Sequence, residues 1–222
     1  MEVRWRERDW EPLREAVAEA RPAVRESLAA SGLLKFFECP LIRAQEYLLQ
    51  FLIEMWSPEQ HCFLVRGEQV AFTAVEDVYF LTGLPFRGTP LPAVPVLPRE
   101  TDLREVARRY CSGEDYMTGS SVRISGIDAL LHRCIAAMIV RVYGSRAPHR
   151  ISGAELLLLE RVVVDRERFA WGQTLHAQMI TQLDHCRSTG RGEFAFGSIL
   201  VAFFLERVPM LCPRVLLDAP GA

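Results

Sequence analysis

Apolar and polar positions along the chain alternate mostly with a helical period. Residues 11–30, "EPLREAVAEARPAVRESLAA", are rich in strong helix formers, and Pro22 in their middle predicts a kinked helix or two short ones. Gly32 then supplies a stop. Between Pro40 and Trp56, Leu41, Leu48, Leu52 and Met55 form one apolar row, and Ile42, Leu49, Ile53 and Trp56 form the next. Arg43, Glu46, Gln50 and Glu54 line the other side, so this helix is expected to be buried over most of its circumference.

Beyond Trp56 the period changes. In "SPEQ", Ser57 can cap, Pro58 suits a first helical position and Gln60 can close a capping box, which predicts a single turn. "HCFLVRGEQVAF" sets Phe63 and Val65, then Val70 and Phe72, at alternate positions about Arg66 and Gly67. This predicts a small two-stranded hairpin that depends on the helices around it. Thr73 with Glu76 three residues later is a second capping box, opening a helix whose inward row is Ala74, Val78 and Leu81. Gly83 stands where a left-handed residue is wanted, Leu84 can fold back on Tyr79, and Pro85 forbids continuation, a Schellman-type stop. A phosphate cradle would need several glycines ahead of a helix N-terminus, and this glycine follows a helix. Phe80 shares a face with Glu76 and Asp77; either the hairpin covers it or it is an exposed aromatic anchor for a partner.

"PFRGTPLPAVPVLP" carries five of the thirteen prolines and is expected to run extended. "TDLREVARRYC" resumes a short helix, "SGEDYMTGSS" is a polar loop, and Ser125–Tyr143 reads as a long, largely apolar helix. Ser152 with Glu155 caps "GAELLLLERVVVD", whose β-branched end suits a full helix or one that finishes in an extended turn. Residues 171–187 form an amphipathic helix, "TGRGE" a loop, and Phe194–Arg207 a core helix closed by Pro209. The expected fold class is therefore mainly α, an irregular multi-helix domain with one small β-hairpin at about residues 62–72. Residues 1–34 read as an N-terminal helical extension and residues 35–222 as the main domain.

Composition narrows the function classes. The chain has 222 residues, half of them hydrophobic, enough for a substantial core. Its formal net charge is -2 with the signs interspersed, so nothing global draws it to nucleic acid or an anionic membrane. Met1–Trp10 is charged where a secretory signal needs an apolar core. The run "FAFGSILVAFFL" is about a dozen residues against the roughly twenty of a membrane span, so an intracellular protein is expected. Six singly scattered cysteines read as reduced, mostly buried thiols.

The run "LIEMWSPEQHCFLVRGEQVAFTAVEDVYFLTGLPFRGTPL" resembles the plant mobile domain family, also called the aminotransferase-like plant mobile domain. The residues that carry the resemblance are Trp56, the His61–Phe63 strand, Gly67, Glu68, Thr73, Asp77, Val78, Leu81, Gly83, Leu84, Pro85 and Gly88. Weaker similarity extends through "RFAWGQTLHAQM" and "FAFGSILVAFFL". The chain ends sooner after Pro209 than a complete member is expected to, which implies a divergent or truncated copy. The resemblance implies a nuclear, transposon-related plant protein, with host versions linked to gene silencing, genome stability and development. It also implies nuclear protein partners, some of them phosphatase-like.

A pyridoxal phosphate enzyme needs a placed lysine and a phosphate cup, and Lys35, in "GLLKFFE", is the single lysine with no glycine-rich loop beside it. Transamination, and with it any cofactor, is therefore not expected. A transposase would need carboxylates converging on two metal ions over a stranded scaffold; Asp77, Asp102, Asp128, Asp165 and Asp184 read better as solvated helix faces. His61 beside Cys62, His132 near Cys134, and His185 beside Cys186 bring metal-binding types together without a CxxC spacing, and adjacent residues point apart. The same pairs lack the third group that would orient a cysteine nucleophile and its base. The best nucleic-acid patch is Arg141, Tyr143, Arg146, His149 and Arg150, whose arginines could hold phosphates or simply offset a helix dipole. A helix-turn-helix over residues 73–112 would have to contain the long proline run. The leading expectation is a non-enzymatic protein-interaction module; the alternative is a DNA- or RNA-binding module using residues 141–150, and an unrecognised hydrolase or nuclease comes third.

Overall fold

The computed structural model describes residues 2–5, 10–39, 46–92, 106–111, 121–143, 150–194 and 196–207. They are mostly helical and fall into two compact units, one of Met1–Arg6, Pro40–Thr73 and Ile180–Ala222, the other of Glu7–Cys39 and Ala74–Met179.

In the first unit, β1 (Glu2–Trp5) pairs in parallel with β7 (Arg191–Phe194), Glu2 opposite Arg191 and Trp5 opposite Phe194. The sequence reads "TGRGE" as a loop and Phe194 as helical. Both lose to this pairing, which supplies the short segments with backbone partners from a distant part of the sequence. Three more strands, β2 (Trp56–Ser57), β3 (Cys62–Val65) and β4 (Glu68–Ala71), form an antiparallel sheet in that order. The expected hairpin is there, and its two-residue turn has Arg66 at φ 54 and Gly67 at φ 87, the left-handed pair that a tight hairpin turn demands.

The third strand of this sheet comes from the end of the expected helix. α4 (Glu46–Glu54) stops before Trp56, which turns to face Phe63 across the sheet; residues 40–45 lie outside the described set. Leu49, Leu52 and Ile53 are buried, but Tyr47 and Phe51 stand 69% and 47% exposed, so α4 buries one face and not most of its circumference. Pairing is also more widespread than one hairpin, since β5 (Ser121–Arg123) and β6 (Arg150–Ser152) form a further two-stranded sheet in the other unit.

The core of the first unit is aromatic. Phe63 meets Trp56 at 4.9 Å and Phe204 at 4.7 Å, and Phe72 meets Phe203 at 5.0 Å, all edge to face. Phe203 and Phe204 come from α10 (Gly197–Arg207), which packs on α4. Each such buried ring contributes about 1.5–3 kcal/mol by leaving water, with about 0.5–1.5 kcal/mol more per edge-to-face pair.

In the second unit, Pro22 splits the N-terminal pattern into α1 (Glu11–Ala18) and α2 (Pro22–Ala30), with the proline at the first position of α2, where its missing N–H costs nothing. Trp10 packs its ring on Phe36 and Phe37 of α3 (Leu34–Glu38), at 5.1 and 5.8 Å. The sequence boundary at residues 34–35 thus falls inside one packed cluster, since α3 also packs on both α1 and α2.

Residues 106–110 form α6, and α7 (Leu130–Val142) is the central helix, buried without interruption from Cys134 to Val142. It starts later than the expected Ser125, because Ile124–Gly126 make a single 3-10 turn and Ile127 bridges to Cys111. α8 (Gly153–Val163) opens with the capping box read from the sequence. Ser152 Oγ accepts from Glu155 N–H at 3.3 Å, and Glu155 Oε2 accepts from Ser152 N–H at 2.6 Å. α9 (Trp171–Thr189) supplies Trp171–Met179 to this unit and its remainder to the other.

Candidate functional site

The stretch Asp77–Gly88 lies in the second unit and has two sides. It begins as a π-helical turn, Ala74–Val78, wider than the α-helical start expected from Thr73 and Glu76, and continues as α5 (Tyr79–Thr82). Gly83 ends it at φ 67, donating its N–H to Tyr79 O at 2.7 Å. This is the simple left-handed stop and not the Schellman form, because Leu84 N–H bonds to Thr82 Oγ1 at 3.1 Å instead of reaching back to a helix carbonyl. Thr82 Oγ1 in turn donates to Val78 O.

The inner side is fixed by close approach. A Cβ on Gly83 would lie 2.5 Å from Lys35 Cβ, and one on Gly88 would lie 2.5 Å from Arg168 O. Pro85 O accepts from Gly172 N–H at 2.8 Å, Thr89 bridges to Phe169, and Trp171 Nε1 donates to Ser31 O at 3.0 Å. Val78, Thr82 and Leu84 are buried, and Leu81 and Pro85 half-buried. Asp77 is also buried, against the expectation of a solvated face, so it belongs to this packing and not to an exposed acidic surface. Lys35, the single lysine, lays its stem along the Gly83 backbone.

The outer side is apolar and open. Phe80 is 77% exposed, Val75 45% and Tyr79 37%. Tyr79 holds Phe80 at 5.7 Å and Phe86 at 5.5 Å, both edge to face, and the Arg87 guanidinium lies over the Phe86 ring at 5.4 Å. Aromatic side chains and an arginine, restrained by one another on a rigid turn, have the composition of an interface anchor. The sequence placed Phe80 on one face with Glu76 and Asp77; Glu76 is exposed with it, whereas Asp77 is buried, and phase alone does not say whether another segment lies over a face.

Of the other residues that carry the resemblance, in the first unit, Trp56 and Phe63 are buried, whereas His61, Gly67 and Glu68 are exposed. Trp56 Nε1 donates to Asp184 Oδ1 at 2.7 Å, Phe63 is fully buried and Gly67 makes the hairpin turn. His61 is not part of the strand as expected; it sits in the preceding turn at φ 48, stacked on Trp56, with Nε2 3.6 Å from Asp184 Oδ2.

The cysteines of the three cysteine–histidine pairs, Cys62, Cys134 and Cys186, are buried. Burial pushes the Cys134 thiol up to about 12 and the Cys186 thiol up to about 11, leaving neither a thiolate near neutrality, and burial lowers His132 from its ordinary value. Among the described residues no three His, Cys, Asp or Glu side chains gather as a metal-binding group; Asp128 and Asp165 are exposed, and Asp102 lies outside the described set.

The arginine patch is only partly in view. Arg141 is buried in the last turn of α7, and Tyr143 donates its hydroxyl to Pro92 O at 2.6 Å, burial pushing its pKa up to about 12. Arg150 donates from Nη2 to Ser121 O at 3.0 Å, while Arg146 and His149 lie outside the described residues. Among the described residues, no helix is long and apolar enough to cross a membrane. No family model matches the chain, and neither a curated protein nor a solved structure matches it.

Proposed function

We propose that the chain is a non-enzymatic protein-interaction module of the plant mobile domain type, serving a nuclear, transposon-derived protein in silencing or genome stability. The observation that carries the interaction role is Phe80, 77% exposed on a turn whose other side is locked into its unit. A preorganised aromatic loses little side-chain freedom on binding, which is what an anchor requires. The nuclear and transposon context, and a phosphatase-like partner, rest on the resemblance of residues 52–91 to that family.

The test is affinity purification from plant nuclei with wild-type, Phe80→Ala and Tyr79→Ala bait, each checked first for unchanged thermal unfolding. Truncating a true anchor costs about 2 kcal/mol, or about thirtyfold in affinity, so the alanine baits should lose the partners that wild type retains. Undiminished recovery of the same partners by Phe80→Ala would sink the reading. The alternative of a nucleic-acid module would be favoured by salt-dependent DNA or RNA binding that Arg146→Glu and Arg150→Glu remove together.

A further inference from the structure

The second unit contains a half-open cavity of about 290 Å³ between α2, the start of α7 and the end of α8. At about 30 Å³ per water it would hold roughly ten, the size of a small metabolite and well below that of a dinucleotide. Leu131, Ile135 and Val162 give it an apolar wall. Its rim carries two opposite charges, Glu26 on α2 and Arg166 just beyond α8, both exposed. They form no ion pair with each other or with any other described residue. The third charged group at the cavity, Glu167, is already neutralised by Arg161, which donates from Nε at 2.6 Å and from Nη2 at 2.8 Å.

Arg166 has a second peculiarity. It adopts φ 53, a left-handed backbone normally left to glycine or asparagine. Glu167 N–H closes the turn onto Arg161 O at 3.1 Å, so the turn itself needs the conformation but not the arginine side chain. Glycine would meet the backbone requirement without strain, and strained side chains that the fold does not need collect at binding sites.

We propose that this cavity binds a free α-amino acid with a branched aliphatic side chain. The apolar wall takes the side chain, Arg166 the carboxylate and Glu26 the ammonium group. A simple carboxylate would leave Glu26 facing an anion, and a simple amine would leave Arg166 facing a cation; a zwitterion satisfies both. This site is separate from the aromatic surface around Phe80 and does not depend on the reading given to it.

The experiment is calorimetric titration of the full chain with L-leucine, 4-methylpentanoate and 3-methylbutylamine, which share the side chain and differ in the head group. Leucine should bind with a Kd in the millimolar range or tighter, and each single-charge analogue about tenfold or more weakly. Arg166→Gly should weaken leucine by about tenfold to a hundredfold while thermal unfolding stays the same or rises, a combination that a purely structural arginine cannot give. Glu26→Gln should weaken leucine and strengthen 4-methylpentanoate. Absence of leucine binding to the wild-type chain, equal binding of the three compounds, or leucine affinity untouched by Arg166→Gly would each overturn the proposal.

Discussion

Replacing Gly83 separates a backbone requirement from a packing requirement. At φ 67 any side chain is held in the left-handed region, costing about 1–2 kcal/mol, and more for a β-branched residue. The new Cβ would also lie 2.5 Å from Lys35 Cβ, which cannot swing away because α3 is anchored by buried Phe36 and Phe37. Displacing packed structure adds about 1–3 kcal/mol, so Gly83→Val should lose about 3 kcal/mol in all. For a chain of this size that lowers Tm by roughly 6–12 °C.

The protein carries its own control. Gly190 ends α9 at the same φ 67, with its N–H bonded to Cys186 O at 2.9 Å and nothing within 4 Å of where a Cβ would stand. Gly190→Ala therefore reports the backbone term alone, about 1 kcal/mol, and Gly83→Ala should exceed it by about 1–3 kcal/mol. Urea unfolding followed by circular dichroism and by amide exchange near each site measures both. Equal losses for the two alanine variants would refute the packing argument, and an unaltered Gly83→Val would refute the helix-stop assignment as well.

Two further outcomes are expected. Ser152→Ala removes one half of the capping box of α8 and should cost about 1 kcal/mol in urea unfolding, whereas Ser152→Asp should retain most of it. Acid should destabilise the second unit in two steps of the same sign. His132 is lowered from 6.5 by burial, and Glu167 is lowered from 4.5, first by its hydrogen bond from Arg161. Each group's contribution is complete above its unfolded pKa and is lost as pH falls through the lower folded value, because the unfolded chain takes up the proton first. His132→Leu should flatten the pH dependence of the urea midpoint just below pH 6.5, and Glu167→Gln the part below pH 4.5; wild-type slopes in both variants would contradict the assignment.

The features legible in the sequence share a short range. The Ser152–Glu155 box, the Arg66–Gly67 turn, the stop at Gly83 and the split at Pro22 each depend on residues within about five positions of one another. The misreadings involve partners brought from afar. Trp56 continues the apolar row of α4 and looks helical, but the strand at Phe63 gives its backbone a better partner and Asp184 takes its indole N–H. Asp77 has the type of an exposed acid and the location of a buried one. For the candidate surface, the sequence leaves Phe80 either covered or exposed, and it is the fold that exposes it.

By itself, then, the sequence determined a mainly helical chain, where several helices start and stop, and which single turn reverses the hairpin, because capping and left-handed stops are settled by local hydrogen bonds and sterics. Tertiary structure alone decided that β1 and β7, far apart in sequence, pair and that Gly83 and Gly88 are seats for Lys35 and the Arg168 carbonyl. It also decided that Glu26 and Arg166 share one cavity rim while Phe80 faces water. Those outcomes depend on which distant segment arrives at a given surface, and hydrophobic patterning specifies that a face will be buried without naming what will bury it.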